Sequence, residues 1–253
     1  MALRILSYNI LAGGEDRLPL ISSVIQQQQP DVVALMEARN LSNVETLAQQ
    51  LGMNLTIGES NNVNQDHVVW LSRLPVLRAC NHRLPVFAKT LLEIEVLCEE
   101  TPLALFATHL KAGQDYEREQ RRVAEMQAIL GVMQRHGNQP HILVGDLNTL
   151  HPTDQPDVSA AIATLKKWGE DKPVPQFPRQ VIPLLLNAGY VDCYRTLHPG
   201  IPGYTSHTAH PALRIDYIFA VPSFAQRLQA CDIVTGSEAI SASDHFPVWA
   251  EFK

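Results

Sequence analysis

HILVGDLN, residues 141–148, is an apolar run of strand length that breaks into a turn carrying two polar side chains, Asp146 and Asn148. A core strand has no use for a carboxylate at its end, and a carboxylate in apolar surroundings is costly unless it is paired or binds a cation. Alone, Gly145-Asp-Leu-Asn reads as a tight turn as readily as a site. The same pattern recurs on both sides of it. Leu3–Ile10 (LRILSYNI) alternates and reads as a core strand ending at Asn9. Asp31–Glu37 (DVVALME) is a short apolar run closed by Glu37, and Leu103–Leu110 (LALFATHL) ends at His109. Downstream, Asp216 lies inside Arg214–Val221 (RIDYIFAV), and Asp244-His245 precedes the strand Val248–Phe252. Gathered at one edge of the sheets, these groups would form a hard, oxygen-rich pocket suited to Mg2+ or Mn2+.

The remaining segments supply the frame. His67–Leu71, Thr90–Leu97 and Gln229–Val234 read as further strands. Leu18, Ile21, Val24 and Ile25 mark one helix face, stopped by Pro30. Ser42–Leu51 reads as a helix with Ser42 as its N-cap, Glu45 completing a capping box and Gly52 just past its end. Tyr116–His136 is the longest helical pattern: Val123, Met126, Ile129, Leu130 and Met133 share a face and Gly137 ends it. Residues 151–183 are punctuated by prolines at 152, 156, 173, 175, 178 and 183 around a helix at Val158–Trp168, and read as an extended surface insert. Strands outnumber helices, with helices between some of them, which indicates an α+β or layered α/β sandwich. Because the polar strand ends run from residue 9 to residue 245 and must meet, the 253 residues are expected to form one domain.

Composition narrows the function. The chain is 45% hydrophobic and 18% charged, with a formal net charge of −6, so it lacks the global basic footprint of a non-specific nucleic-acid binder. Arg118, Arg121 and Arg122 form the nearest basic group and read as a solvated helix face. Cys80, Cys98, Cys193 and Cys231 form no Cys-x-x-Cys pair, which argues against zinc; they read as small reduced side chains, with disulfide pairing left open. Neither a signal peptide nor an apolar stretch of membrane-spanning length is evident, so a cytoplasmic location is expected, and no obligate protein partner is indicated.

In order, SYNI at 7–10, ALMEA at 34–38, THL at 108–110, GDLN at 145–148, RIDYIF at 214–219 and SDHFPV at 243–248 resemble the endonuclease/exonuclease/phosphatase family, over essentially the whole chain. The resemblance implies a DNase I-like four-layer α/β/β/α sandwich, two packed mixed sheets flanked by helices. It implies one or two Mg2+ or Mn2+ ions, with Glu37 as the principal ligand, helped by Asn9 and Asp244. Asp146 would orient or deprotonate the attacking water or hold a second metal, and Asn148 would steady the developing phosphorane. His245 would contact the phosphate with Asp216 as its carboxylate partner, and His109 would be a second phosphate-side group. Tyr204, Thr205 and Arg214 lie where substrate contacts are expected. Asp66 is a candidate to orient His109, with a solvated loop aspartate as the alternative; His207 and His210 read as loop histidines, with phosphate or metal contact as the alternative.

The implied activity is metal-assisted hydrolysis of a phosphate ester, chiefly a diester, in nucleic acid, phospholipid or a small molecule. A nuclease is the first alternative, and a non-catalytic binding module on the same fold the second. Departures from the family's branches matter here. Abasic endonucleases carry an acidic residue where this chain has Leu11, and an aromatic segment where it has Gly203-Tyr-Thr-Ser-His. No cluster of lysine and arginine offers an inositol-polyphosphate pocket.

Overall fold

Period-two alternation in the strands sorts apolar side chains onto two faces, and each face meets a different partner. The computed structural model describes residues 2–60, 62–167 and 177–253. In chain order the elements are β1 (Leu3–Asn9), a 3₁₀ turn (Glu15–Arg17), α1 (Leu18–Gln28), β2 (Val32–Met36), α2 (Leu41–Leu51), β3 (Asn54–Gly58), β4 (Val68–Ser72) and β5 (Val76–His82). Then come β6 (Leu91–Cys98), β7 (Thr101–His109), α3 (Tyr116–Met133), a second 3₁₀ turn (Gln134–His136), β8 (His141–Asp146), α4 (Val158–Lys167) and α5 (Val181–Asn187). The chain continues with β9 (Val191–Asp192), α6 (Cys193–Leu197), β10 (Asp216–Ala220), α7 (Pro222–Ala225), β11 (Leu228–Ile233), α8 (Ser237–Ala242) and β12 (Val248–Phe252).

Among the described residues twelve strands form two six-stranded sheets, ordered β11-β12-β1-β2-β4-β3 and β5-β6-β7-β8-β10-β9. Each is mixed: β1 runs parallel to β2 and β7 parallel to β8, while the other pairings are antiparallel. Leu3, Ile5, Ala34, Met36 and Trp70 of one sheet pack against Ile94, Leu105, Ala107, Val144 and Ile218 of the other in one buried core. The alternate residues Leu6, Tyr8, Val33 and Leu35 face α1, α2 and α8. Phe106, Leu143, Tyr217 and Phe219 face α3 and α5. The result is the expected four-layer α/β/β/α sandwich.

The same alternation continues to the strand ends. Residues in phase with the inter-sheet core are Asn9 on β1, His109 on β7, Asp146 on β8 and Asp216 on β10. Backbone register places His109 opposite Asp146 on one side and Asp216 opposite Asp146 on the other.

Four expectations need correcting. The cap of α2 is Asn40, two residues before the expected cap Ser42: its extended backbone lets Oδ1 accept from the Asn43 amide at 3.2 Å and from the Ser42 hydroxyl at 2.8 Å. Strands β3, β5 and β9 had no counterpart in the sequence reading. They are edge strands with partly solvated side chains, so the apolar signal is diluted. The insert at 151–183 is anchored inward where it is described: Ala161 packs with Leu150 against Ala212, Leu213 and Ile215, and Val181 and Ile182 are fully buried, while residues 168–176, including Trp168 of the expected helix, lie outside the described residues. Finally, Arg122 is buried, not solvated. It pairs with Glu119 at 2.7 Å, both side chains fully shielded, and donates to the carbonyls of Lys111 and Gly113.

The Glu119 carboxylate also accepts from the Thr149 hydroxyl and the Gln180 and Val181 amides, so this ion pair ties together the segments after β7 and β8 and the start of α5. Arg122→Ala would leave that carboxylate buried without its cation. Urea unfolding is expected to show a loss of about 3–5 kcal/mol; a loss below about 1 kcal/mol would mean that the pair is not a net anchor.

Candidate active site

Gly145 is the local reason the second sheet can end in a carboxylate. Its φ is 146°, and a Cβ there would lie 1.9 Å from the carbonyl oxygen of Thr108 on the neighbouring strand, so only glycine brings β8 close enough to β7 at this point. Asp146 follows, then Asn148 at φ 52°; Glu37, just beyond β2, is at φ 58°. Non-glycine residues in this region are strained, and such strain gathers where a side chain must be aimed.

The aimed side chains form a continuous chain, buried except at the half-buried Glu37. Asn9 Nδ2 donates to Glu37 Oε1 at 3.3 Å and to Asp146 Oδ2 at 3.1 Å. Asp146 Oδ1 accepts from the Asn148 amide at 3.0 Å, while His109 Nε2 lies 3.3 Å from Asp146 Oδ2. His245 Nε2 is 3.9 Å from the same oxygen, and its Nδ1 is 2.8 Å from Asp216 Oδ2. Glu37 Oε2 accepts from the Ala12 amide, and the Ser243 hydroxyl donates to the Asn9 carbonyl at 2.6 Å, bringing the Asp244 loop against β1. Asn148 Nδ2 donates to the Leu110 carbonyl at 3.4 Å.

Electrostatics separates the roles of these groups. Burial and the facing Asp216 carboxylate push Asp146 up to about 7, against the lowering effects of His245, Lys89 and Asn9. Burial opposes charge on His245, but Asp216, Asp146 and Asp244 outweigh it and lift the ring well above 6.5. His109 goes the other way: burial, Lys89 and His245 hold it well below 6.5, so it is neutral. One imidazolium and one neutral imidazole therefore flank the same carboxylate.

The residues present fit a divalent cation. Donor atoms of Asp146, Asp216 and His245 all lie within 4.8 Å of one another. Asp216 Oδ1 and Asp244 Oδ1 are buried with no hydrogen-bond partner among the described residues. Asp146 gives the same indication, since crowded carboxylates retain a proton where positive charge is short. Asn9 Oδ1 accepts from the Leu11 amide and Nδ2 donates to the carboxylates; the second lone pair of Oδ1 is the one through which it would ligate.

Other expected residues take different positions. Arg214 is buried against Asp154 and Asp192, each at 2.8 Å, and lies over the Tyr217 ring; it anchors the segment before β10 and is not presented to a substrate. Thr205 is also fully buried, its hydroxyl accepting from the Ile215 and Asp216 amides and its carbonyl from Phe246, so it aligns Asp216 with the His245 loop. The Tyr204 hydroxyl donates to the Gln155 carbonyl. Asp66 pairs with Arg39 at 2.5 Å and accepts from Asn62, not from His109.

Two further residues join the site. His207 approaches Asp244 Oδ2 at 3.3 Å, with its ring 6.2 Å from that of His245. The sequence reads it as a loop histidine, with phosphate or metal contact as the alternative, and its position beside Asp244 favours the alternative. Lys89 is buried and donates to the Leu110 carbonyl that also accepts from Asn148; nothing in FAKTLL distinguishes it from a surface lysine.

Comparison with known proteins identifies the family and the fold. The model of the Endonuclease/Exonuclease/phosphatase family matches residues 6–245. Sequence comparison with curated proteins finds no match. Among solved structures, an AP endonuclease from Archaeoglobus fulgidus superposes with a TM-score of 0.77 at 20% identity, covering 99% of each chain. The 3′–5′ exonuclease NExo from Neisseria meningitidis gives 0.77 at 23%, covering 99% of this chain and 100% of that one. TDP2 from D. rerio, complexed with a single-strand DNA product, gives 0.73 at 18%, covering 100% and 99%. At these identities the likeness establishes the fold.

A cation entering the carboxylate cluster must displace the proton that Asp146 holds below about pH 7. Mn2+ affinity measured by calorimetry is therefore expected to weaken from pH 8 to pH 6, approaching about tenfold per unit below 7 if one proton is displaced per ion. An unchanged dissociation constant across that range would remove Asp146 from the cation cluster.

Proposed function

The chain belongs to the endonuclease/exonuclease/phosphatase family, and we propose that it is a Mg2+- or Mn2+-dependent phosphoesterase, chiefly a phosphodiesterase, in which water attacks phosphorus in line with the leaving oxygen. The observation that carries this reading is the buried relay from Asp216 through His245 and Asp146 to Asn9 and Glu37. A structural core has no use for two buried carboxylates, Asp146 and Asp216, beside two buried histidines and the half-buried Glu37 at one sheet edge.

Glu37, Asn9 and Asp244 would hold the cation, with Asp146 and Asp216 close by for a second. The bound cation would neutralise phosphate charge and act as a Lewis acid. Asp146, with its proton affinity raised by burial, accepts a proton from the attacking water as the new P–O bond forms. His245, held as imidazolium by Asp216, donates from Nε2 to a phosphoryl oxygen as charge builds there, and Asn148 offers a second, neutral donor. Neutral His109 keeps its Nε2 on Asp146 and fixes the orientation of that carboxylate. The leaving oxygen departs as the P–O bond breaks and takes its proton from solvent.

A second reading, cleavage of single-stranded or end-processed DNA, draws on the neighbours described as a 3′ phosphatase bound to a product DNA hairpin and as complexed with single-strand DNA product. The net charge of −6 weighs against extended duplex contact.

The test is a hydrolysis screen with and without Mg2+ or Mn2+, over plasmid and abasic DNA, RNA, a choline phospholipid, an aryl phosphodiester and its monoester. Metal-dependent turnover of at least one ester is expected. His245→Ala should lower it by roughly 10²–10⁴ while the fold is retained. Glu37→Ala should abolish the response to metal at concentrations that saturate the parent protein. Hydrolysis by both variants at the parent rate would remove these residues from the chemistry.

A further inference from the structure

Arg17 closes the 3₁₀ turn after β1, and its guanidinium spends two donors on carbonyl oxygens from distant parts of the chain. One reaches Leu11 at 2.5 Å and the other Ala242 at 2.6 Å. Leu11 is two residues past Asn9, and Ala242 is two residues before Asp244. The loop on the first side is strained: Leu11 and Ala12 stand at φ 48° and 52°, a region that residues with a Cβ enter at a cost. That conformation points the Leu11 amide at Asn9 Oδ1 and the Ala12 amide at Glu37 Oε2. Gly13 then packs so closely on the β2–α2 connection that a Cβ would lie 2.7 Å from the Asn40 nitrogen. On the second side, Ser243 donates to the Asn9 carbonyl, and Asp244 Oδ1 is left without a hydrogen-bond partner among the described residues.

We propose that Arg17 is a positioning residue that sets the site's affinity for its divalent cation. It does so by clamping together the two loops that orient Asn9, Glu37 and Asp244; the inference rests on the metal-dependent reading above. Among the described residues Arg17 makes no ion pair with a carboxylate, so its two donors serve these backbone oxygens. A planar fork with several N–H vectors can bridge two carbonyls, whereas a lysine ammonium on a flexible stem holds them far less rigidly. Without the clamp the 11–12 turn relaxes from its strained conformation and the Ala12 amide leaves Glu37. The ligands must then be ordered when the cation binds, which weakens binding. Asp146 and Asp216, on the second sheet, make no hydrogen bond to Arg17 among the described residues, so they stay in place.

The test is calorimetric titration of the full chain with Mn2+ at fixed pH. Arg17→Ala should raise the dissociation constant roughly 10- to 100-fold, the range for lost support of a metal ligand. Arg17→Lys should fall between the two, and millimolar guanidinium should recover part of the loss in the alanine variant. Arg4→Ala removes a guanidinium that bridges β1 to Glu251 of β12 and to the Gln28 carbonyl, away from the site; it should leave the dissociation constant unchanged. An Arg17→Ala protein within twofold of the parent, or an Arg4→Ala protein weakened as much as Arg17→Ala, would overturn the clamp. A parent protein that takes up no Mn2+ would instead overturn the metal-dependent reading, and the clamp with it. Should Arg17→Ala fail to fold, Arg17→Lys and Arg17→Gln carry the comparison, with parent-like affinity in both as the overturning result.

Discussion

Burial of the Asp146 carboxylate between two other ionisable strand ends is the constraint on which the site depends. Backbone register leaves it no choice of company, because β7 sets His109 beside it and β10 sets Asp216 beside it. A carboxylate in that position must take a proton, a cation or a counter-charge. The first sheet supplies the remaining partners by meeting the second face to face, so that Asn9 reaches Asp146 across the interface. Slipping either central strand by one residue would turn these groups toward the helices and bring apolar residues into the gap.

Most of this was legible in the sequence because the signal is periodic and the exceptions to it are few. A polar residue ending an apolar run stands out against its own strand, and six such exceptions in a fixed order resemble one family closely enough to imply both sheets and the polar cluster between them. What stayed hidden depends on three-dimensional context. Arg214 lies two residues before Asp216 and Thr205 eleven before it, and both look like substrate contacts in a linear reading. In space Arg214 is held by Asp154 and Asp192, and Thr205 by backbone amides. Arg122 follows Arg121 in a helix whose pattern gives no sign that one faces water and the other a buried glutamate. Lys89 and Arg17 act through backbone carbonyls, and a carbonyl leaves no trace in residue type.

The site's electrostatics follow from an imbalance of charge. Three carboxylates, Glu37, Asp146 and Asp216, converge with one histidine lifted into its charged form and one held neutral. Arg39 offsets Glu37 at 3.6 Å but is shared with Asp66, and Lys89 is drawn off toward the Leu110 carbonyl. The arrangement keeps a deficit of positive charge at the sheet edge, which suits an anionic substrate when a divalent ion accompanies it.

In the first sheet, β1 lies between β2, which follows it closely in the chain, and β12. The contact between Ser243 and Asn9 spans 234 residues. At ribosomal rates that gap is on the order of ten to fifty seconds. Throughout that time β1 has at most one of its two neighbours, and its other edge is an unsatisfied row of amides and carbonyls that other chains can pair with. Asp244 and His245 arrive with the same late segment that closes the edge. A nascent chain therefore carries this open edge before it has its full polar cluster, and both conditions end with the same strand addition.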